Sequence, residues 1–193
     1  DMADSSRDLE LLMAERAIKR VILAYSRAVD RYDFDALTDC YWPDGTDDHG
    51  SFRGPAGEFV EWNKGALARF DMTNHFLGNM LVDVDLDAGR ARAETYAVAY
   101  HRFTDAEGQL TDMIAGLRYV DVFERRSAEW RILERVIAYS WRRTDPAVGQ
   151  TGFARSLARF VDDILHVVRR KKLALAFARR AGMRRGRVVG PRR

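Results

Sequence analysis

The sequence predicts an α+β fold in which helices come first and then cover one face of a long antiparallel meander. Apolar residues in the first third recur every three or four positions, whereas after Asp71 they alternate. Three clusters of turn residues, Asp87-Ala88-Gly89, Asp105-Ala106-Glu107-Gly108 and Arg126-Ser127-Ala128-Glu129, divide the second part into four strands. With 193 residues, 47% of them hydrophobic, the chain suits one sizeable core and has little room for another.

Each element has its own signal. Leu11, Ile18, Ile22, Tyr25 and Val29 form the stripe of a first helix that Ser5 or Asp8 caps and that ends near residues 30–32. Asp33 is the N-cap of a short helix from Phe34 to Trp42. Pro43-Asp44-Gly45 reads as a turn, residues 46–53 as a short strand or loop, and Gly54-Pro55 as the start of a third helix from Ala56 to about Phe70. Phe76, Met80, Val82, Val84 and Leu86 alternate along the first long strand, and the other three cover about 90–103, 110–125 and 130–143. Asp145-Pro146 closes the unit, which gives a domain over residues 1–150 and an Arg-rich extension over 151–193. The extension is expected to be helical from Phe153 to about Ala181, with Leu157, Phe160, Ile164, Leu165 and Val168 on one side. No internal repeat is present.

Charge and composition exclude several classes. Between Arg169 and Arg193 lie eleven basic residues and no acid, so with a whole-chain net charge of +3 the preceding 168 residues carry −8. An acidic body argues against nucleic-acid binding by the core, whose basic footprint should lie on the folded surface. The arginines beyond Arg179 suit solvent or a weak contact with an anionic surface. No stretch of about 20 residues is free of charge, which argues against a spanning helix. The single cysteine, Cys40, forms no internal disulfide and no Cys-rich zinc site, and with no leader pattern in front of the first helix a cytoplasmic location is expected.

No phosphate-binding glycine loop, nucleophile elbow or zinc-protease motif occurs. What stands out instead is polar residues where the pattern asks for apolar ones: Asp30, His49, His75, His101 and Arg135, with Tyr25 near the first. A carboxylate at a helix C-terminus meets the negative end of the helix dipole, which makes Asp30 a stronger proton acceptor and a suitable orienting partner for a histidine. His75 opens the first long strand, and His101 lies among Ala93, Thr95, Ala97, Ala99 and Phe103, small neighbours that leave room for a ligand. Arg135 alternates with Leu133, Ile137, Tyr139 and Trp141, so it needs a carboxylate (Glu134 or Asp121) or an anionic substrate as its partner. Taken singly, each of these residues is equally well explained as structural. Asp47, Asp48 and His49 contain metal-ligand types, but adjacent residues of an extended segment point in opposite directions, so no metal is expected.

The stretches AERAIKRVILAYSRAVDRYDFDALTDCYWPDG, FRGPAGE and TNHFLGNMLVDVD, with the strands after them, resemble the SnoaL-like branch of the nuclear transport factor 2-like superfamily over about residues 8–145. The resemblance implies a cone: a bent antiparallel or mixed sheet wrapped around a long N-terminal helix and two shorter ones, with a deep apolar pocket between them. Such folds host dehydratases, isomerases, cyclases and non-catalytic transport factors alike. In the subgroup with scytalone dehydratase, a bile-acid dehydratase and hexachlorocyclohexane dehydrochlorinase, an aspartate ending the first helix and a histidine opening the first long strand form a dyad. Asp30 and His75 fall on those positions.

Tyr25 and Arg135 resemble pocket residues of that subgroup, and His101 lies one residue from a second catalytic histidine. Leu117 and Tyr119 stand where the scytalone enzyme has serine and asparagine, which speaks against its substrate. Tyr25 stands where the dehydrochlorinase has lysine, which speaks against dechlorination. The resemblance thus implies a cofactor-independent, metal-free lyase for a hydrophobic cyclic molecule of steroid or polyketide kind. Asp30, His75, Tyr25, Arg135 and His101 would be catalytic; His49, Trp42 and Tyr119 would touch substrate, with Trp62, Phe70 and Phe123 lining the pocket. In this role His75 takes the proton, Arg135 or Tyr25 steadies the enolate oxygen, and His101 or Tyr25 protonates the departing hydroxyl. An isomerase or cyclase using the same dyad, and a non-catalytic binder or assembly subunit, are the alternatives. A homodimer or homotrimer is expected by analogy.

Overall fold

The computed structural model describes residues 2–148 of a chain that divides into two units, Asp1–Ala147 and Val148–Arg193. The expected helical extension over 151–193 lies outside the described residues. The first unit contains α1 (Met2–Asp30), α2 (Phe34–Thr38), β1 (Tyr41–Asp48), β2 (Arg53–Pro55), α3 (Ala56–Leu67), β3 (Met72–Asp85), β4 (Arg90–Thr104), β5 (Leu110–Arg126) and β6 (Glu129–Pro146). The strands form one six-stranded sheet in the order β2-β1-β6-β5-β4-β3, all antiparallel except for the parallel β1–β6 pair. This is the α+β arrangement that the hydrophobic periods predict. Among the described residues no helix is long and apolar enough to cross a membrane.

α1 lays Ile18, Ile22, Tyr25, Ala28 and Val29 against the concave face of the sheet, chiefly along β3 and β6. Its end is a Schellman turn: Asp33 N–H donates to the Ala28 carbonyl and Tyr32 N–H to that of Val29, with Tyr32 at a left-handed φ of 54°. Asp33 then caps α2 through its side chain, which accepts from Ala36 N–H at 3.1 Å. The two caps share one residue, which holds Asp30 at the last helical position.

Two segments differ from the sequence expectation. The second helix ends at Thr38, because Tyr41 to Asp48 form a strand; Pro43-Asp44-Gly45 is the irregular stretch between the Tyr41 and Thr46 pairings with β6. Turn chemistry here makes a bulge within an edge-proximal strand rather than a chain reversal. The third helix stops at Leu67, three residues early. The three long turns fall where expected, with Gly89 and Gly108 at positive φ and the Asp85 and Asp105 carboxylates accepting from turn N–H groups.

Bulges decide which side chains face the core. In β3 the register shifts between Leu77 and Met80. His75 and Leu77 therefore share the concave face with Met80, Val82 and Val84, although their positions differ by an odd number. Phe76, expected in the apolar row, faces outward and is 71% exposed. A second shift between Gly116 and Leu117 turns Trp141 to the outer face across Gly116, away from the row of Arg135, Ile137 and Tyr139. Phe76, Leu81, Val98, Val120, Val136 and Trp141 are exposed apolar residues on that outer face, set among ion pairs such as Arg118–Glu94 and Arg102–Asp112.

Candidate functional site

Asp30 and His75 meet where the end of α1 crosses the start of β3. The Asp30 Oδ1 lies 2.7 Å from His75 Nδ1, and Oδ2 accepts the backbone N–H of His75 at 2.9 Å. One carboxylate thus grips both the ring and the main chain of a single residue, which sets the imidazole's orientation and its Nδ1–H tautomer and leaves Nε2 free. The His75 side chain is 9% exposed and Asp30's 17%, so the pair is mostly shielded from solvent.

The pair borders a cavity of about 1260 Å³ between α1, α3 and the concave face of the sheet. Its wall carries Tyr25, His49, His75, His101 and Tyr119 among apolar groups such as Val29, Trp62, Phe70 and Leu117. His101 stands edge-on to His75 at 5.6 Å between ring centroids and stacks on Phe70 at 4.5 Å. Burial, reinforced by the charge of His75, lowers its pKa to about 4, so it is neutral at neutral pH. Its Nδ1 is buried without a hydrogen-bond partner, as is Nδ2 of Asn63 on α3.

Tyr25 and Tyr119 pack edge to face at 5.6 Å. Burial raises the pKa of both, most of all for Tyr25, and keeps them as neutral O–H groups. His49 reaches the cavity from the end of β1 and stacks on Phe59 at 4.9 Å.

Two expected site residues are elsewhere. Arg135 lies behind the wall, fully buried, with its guanidinium carbon 4.0 Å from the Tyr25 ring centre and 4.3 Å from that of Tyr119. Its Nε and Nη2 each donate to the Asp121 carboxylate at 2.7 Å. Burial pushes the Asp121 carboxyl up and the guanidinium opposes the push. With two tyrosine rings between it and the cavity, Arg135 supports the wall instead of touching substrate. Trp42 faces away: its indole donates to the Glu124 carbonyl at 2.9 Å and lies between the Arg126 and Arg131 guanidinium groups. The bulged strand turns it outward. Phe123, expected in the lining, is fully buried core.

The sequence marks Asp47 only as a metal-ligand type and does not mark Tyr41 at all. Asp47 is 1% exposed; its Oδ1 lies 3.0 Å from His49 Nδ1, and its Oδ2 accepts the Tyr41 hydroxyl at 2.5 Å. The available signal was spacing, since residues two apart on a strand share a face. Asp48 points the other way and pairs with Arg53. Among the described residues no group of three or more His, Cys, Asp or Glu is placed to hold a metal ion.

A curved mixed sheet enclosing a long helix and an apolar cavity with histidines in its wall defines an α+β cone protein. The family model of SnoaL-like domains matches residues 10–136, and the chain belongs to that family within the nuclear transport factor 2-like superfamily. An uncharacterized protein of Mycobacterium tuberculosis is 30% identical over 122 residues, 62% of this chain and 80% of that protein. Among solved structures, the type 2 hexachlorocyclohexane dehydrochlorinase superposes with a TM-score of 0.64 at 17% identity, covering 74% of this chain and 95% of that one. A candidate scytalone dehydratase from Novosphingobium aromaticivorans gives 0.61 at 20%, covering 72% and 91%. At these identities the structures share the fold.

Proposed function

We propose that the protein is a cofactor-independent lyase that removes water from a hydrophobic cyclic molecule of steroid or polyketide kind. The observation that carries this reading is the Asp30 carboxylate held at 2.7 Å from His75 Nδ1 at the border of an apolar cavity. With Nδ1 committed to Asp30, His75 Nε2 acts as general base at a carbon next to a carbonyl, a contribution of about 10²–10⁴-fold. Tyr25, kept protonated by burial, donates to the enolate oxygen; a single such donor is worth roughly 3–4 kcal/mol. His101, neutral in its shielded position, serves as a hydrogen-bonding group, not as the proton source first expected. Two of the structural neighbours are named for elimination reactions, which agrees with this chemistry.

The test is incubation of the full chain with hydroxylated steroid and polyketide libraries. A product lighter by one water is expected, with turnover falling by at least about 100-fold in His75→Ala while ligand binding survives. A product of unchanged mass would make the protein an isomerase or cyclase, and a His75→Ala protein of undiminished activity would refute the dyad. We also propose that the protein works as a homodimer or homotrimer joined through the outer face of its sheet, where Phe76, Leu81, Val98, Val120, Val136 and Trp141 are exposed.

A further inference from the structure

Expelling hydroxide needs a proton donor at the leaving oxygen as well as a base at carbon. The cavity wall holds a second carboxylate-backed imidazole that the reading above does not use. His49 Nδ1 lies 3.0 Å from Asp47 Oδ1, and the other Asp47 oxygen is fixed by the Tyr41 hydroxyl at 2.5 Å. The Asp47 side chain is fully buried, and the two N–H groups that the neighbouring Arg135 donates both go to Asp121. The groups that satisfy Asp47 are therefore the Tyr41 hydroxyl and His49. Stacking on Phe59 holds the plane of the His49 ring, and the Asp47 carboxylate beside Nδ1 calls for a proton on that nitrogen, which leaves Nε2 as the ring nitrogen for a ligand in the cavity that His49 lines.

His49 follows β1 and His75 lies on β3, near opposite margins of the sheet, yet both line the same space.

We propose that His49, positioned by Asp47, is the general acid of this cavity, and that the substrate is a β-hydroxy carbonyl compound, or its vinylogue, lying with its acidic C–H toward β3 and its departing oxygen toward β1. The inference rests on the lyase reading. His75 Nε2 takes the proton, and the C–H electron pair becomes the new C=C bond. The C–O pair leaves on oxygen, which takes the Nε2 proton of doubly protonated His49 and departs as water, leaving His49 neutral with its remaining proton on Nδ1 toward Asp47. His75 ends one proton richer and His49 one poorer, and exchange with solvent resets both.

Two probes separate acid from base. The aldol adduct of benzaldehyde and acetone loses hydroxide and needs an acid; p-nitrophenoxyethyl methyl ketone loses a phenolate that leaves unaided and needs only the base. On the full chain, His75→Ala should slow both by about 100-fold or more. His49→Gln and Asp47→Asn should slow the aldol adduct at least about 30-fold more than the aryl ether. Circular dichroism checks each fold; if buried Asp47→Asn does not fold, partly exposed His49→Gln decides alone. Equal losses on the two probes, or none, in His49→Gln overturn the acid role and leave the base reading intact. A wild-type protein no faster than the His75→Ala/His49→Gln double variant on either probe overturns both.

Discussion

Two buried groups, one in the cavity wall and one behind it, make opposite demands on the solvent. His101 favours its neutral form, because burial lowers its pKa from the ordinary 6.5 to about 4. As pH falls from 6.5 toward 4, the unfolded chain binds a proton that the folded chain refuses, so stability declines across that window and levels off below it. The loss is on the order of 3 kcal/mol. His101→Phe should remove this component, seen as a shallower fall in urea-unfolding free energy between pH 7 and pH 4 than in the wild type. Arg135 and Asp121 instead pair as ions through Nε and Nη2, with Arg135 Nη1 left without a hydrogen-bond partner. Arg135→Met alone strands a buried carboxylate and should cost about 3–5 kcal/mol by denaturant unfolding, whereas adding Asp121→Leu should restore much of that loss. Additive losses in that double-mutant cycle would mean the pair is not coupled. At this scale the sequence located Asp30, His75 and His101, because a carboxylate ending a helix and imidazoles in apolar rows break a local pattern. The depth of Arg135 was not legible: alternation tells which face a residue takes, not whether two tyrosines stand between it and a ligand.

Among the elements, the hairpin between β5 and β6 has a defect that can be repaired. Ser127 occupies the first loop position at φ 58°, which glycine adopts without steric cost. Ser127→Gly should stabilise by about 0.5–1 kcal/mol, raising Tm by a few degrees in calorimetry; a lower Tm would show that chain entropy outweighs the relief. Helix ends and hairpin turns could be read from sequence because caps, Asx turns and glycines are short-range chemistry. The bulges could not. A single extra residue inverts every later assignment in its strand, which is why Phe76 and Trp141 were placed inside and lie outside. Pro43-Asp44-Gly45 misled for the same reason, since one set of residues serves a reversal or a bulge and only the neighbouring strand decides.

For the molecule as a whole, the order of helices and strands predicted the architecture, but the parallel β1–β6 pair joins segments some ninety positions apart and left no local trace. The convex surface carries exposed apolar residues between its ion pairs. Sedimentation should find two or three chains per particle, and Phe76→Lys with Leu81→Lys should shift the population toward monomers while the cavity residues remain untouched. A wild-type monomer would remove the convex face from consideration as an interface. The bulge between Leu77 and Met80 has a consequence for the bend of β3. Deleting one residue there would make the two strands advance in step, so the imidazole and the Met80 row would still share the concave face but without the bend that the extra residue introduces. The extra residue therefore sets the curvature of the strand at the cavity and not the side on which its histidine stands.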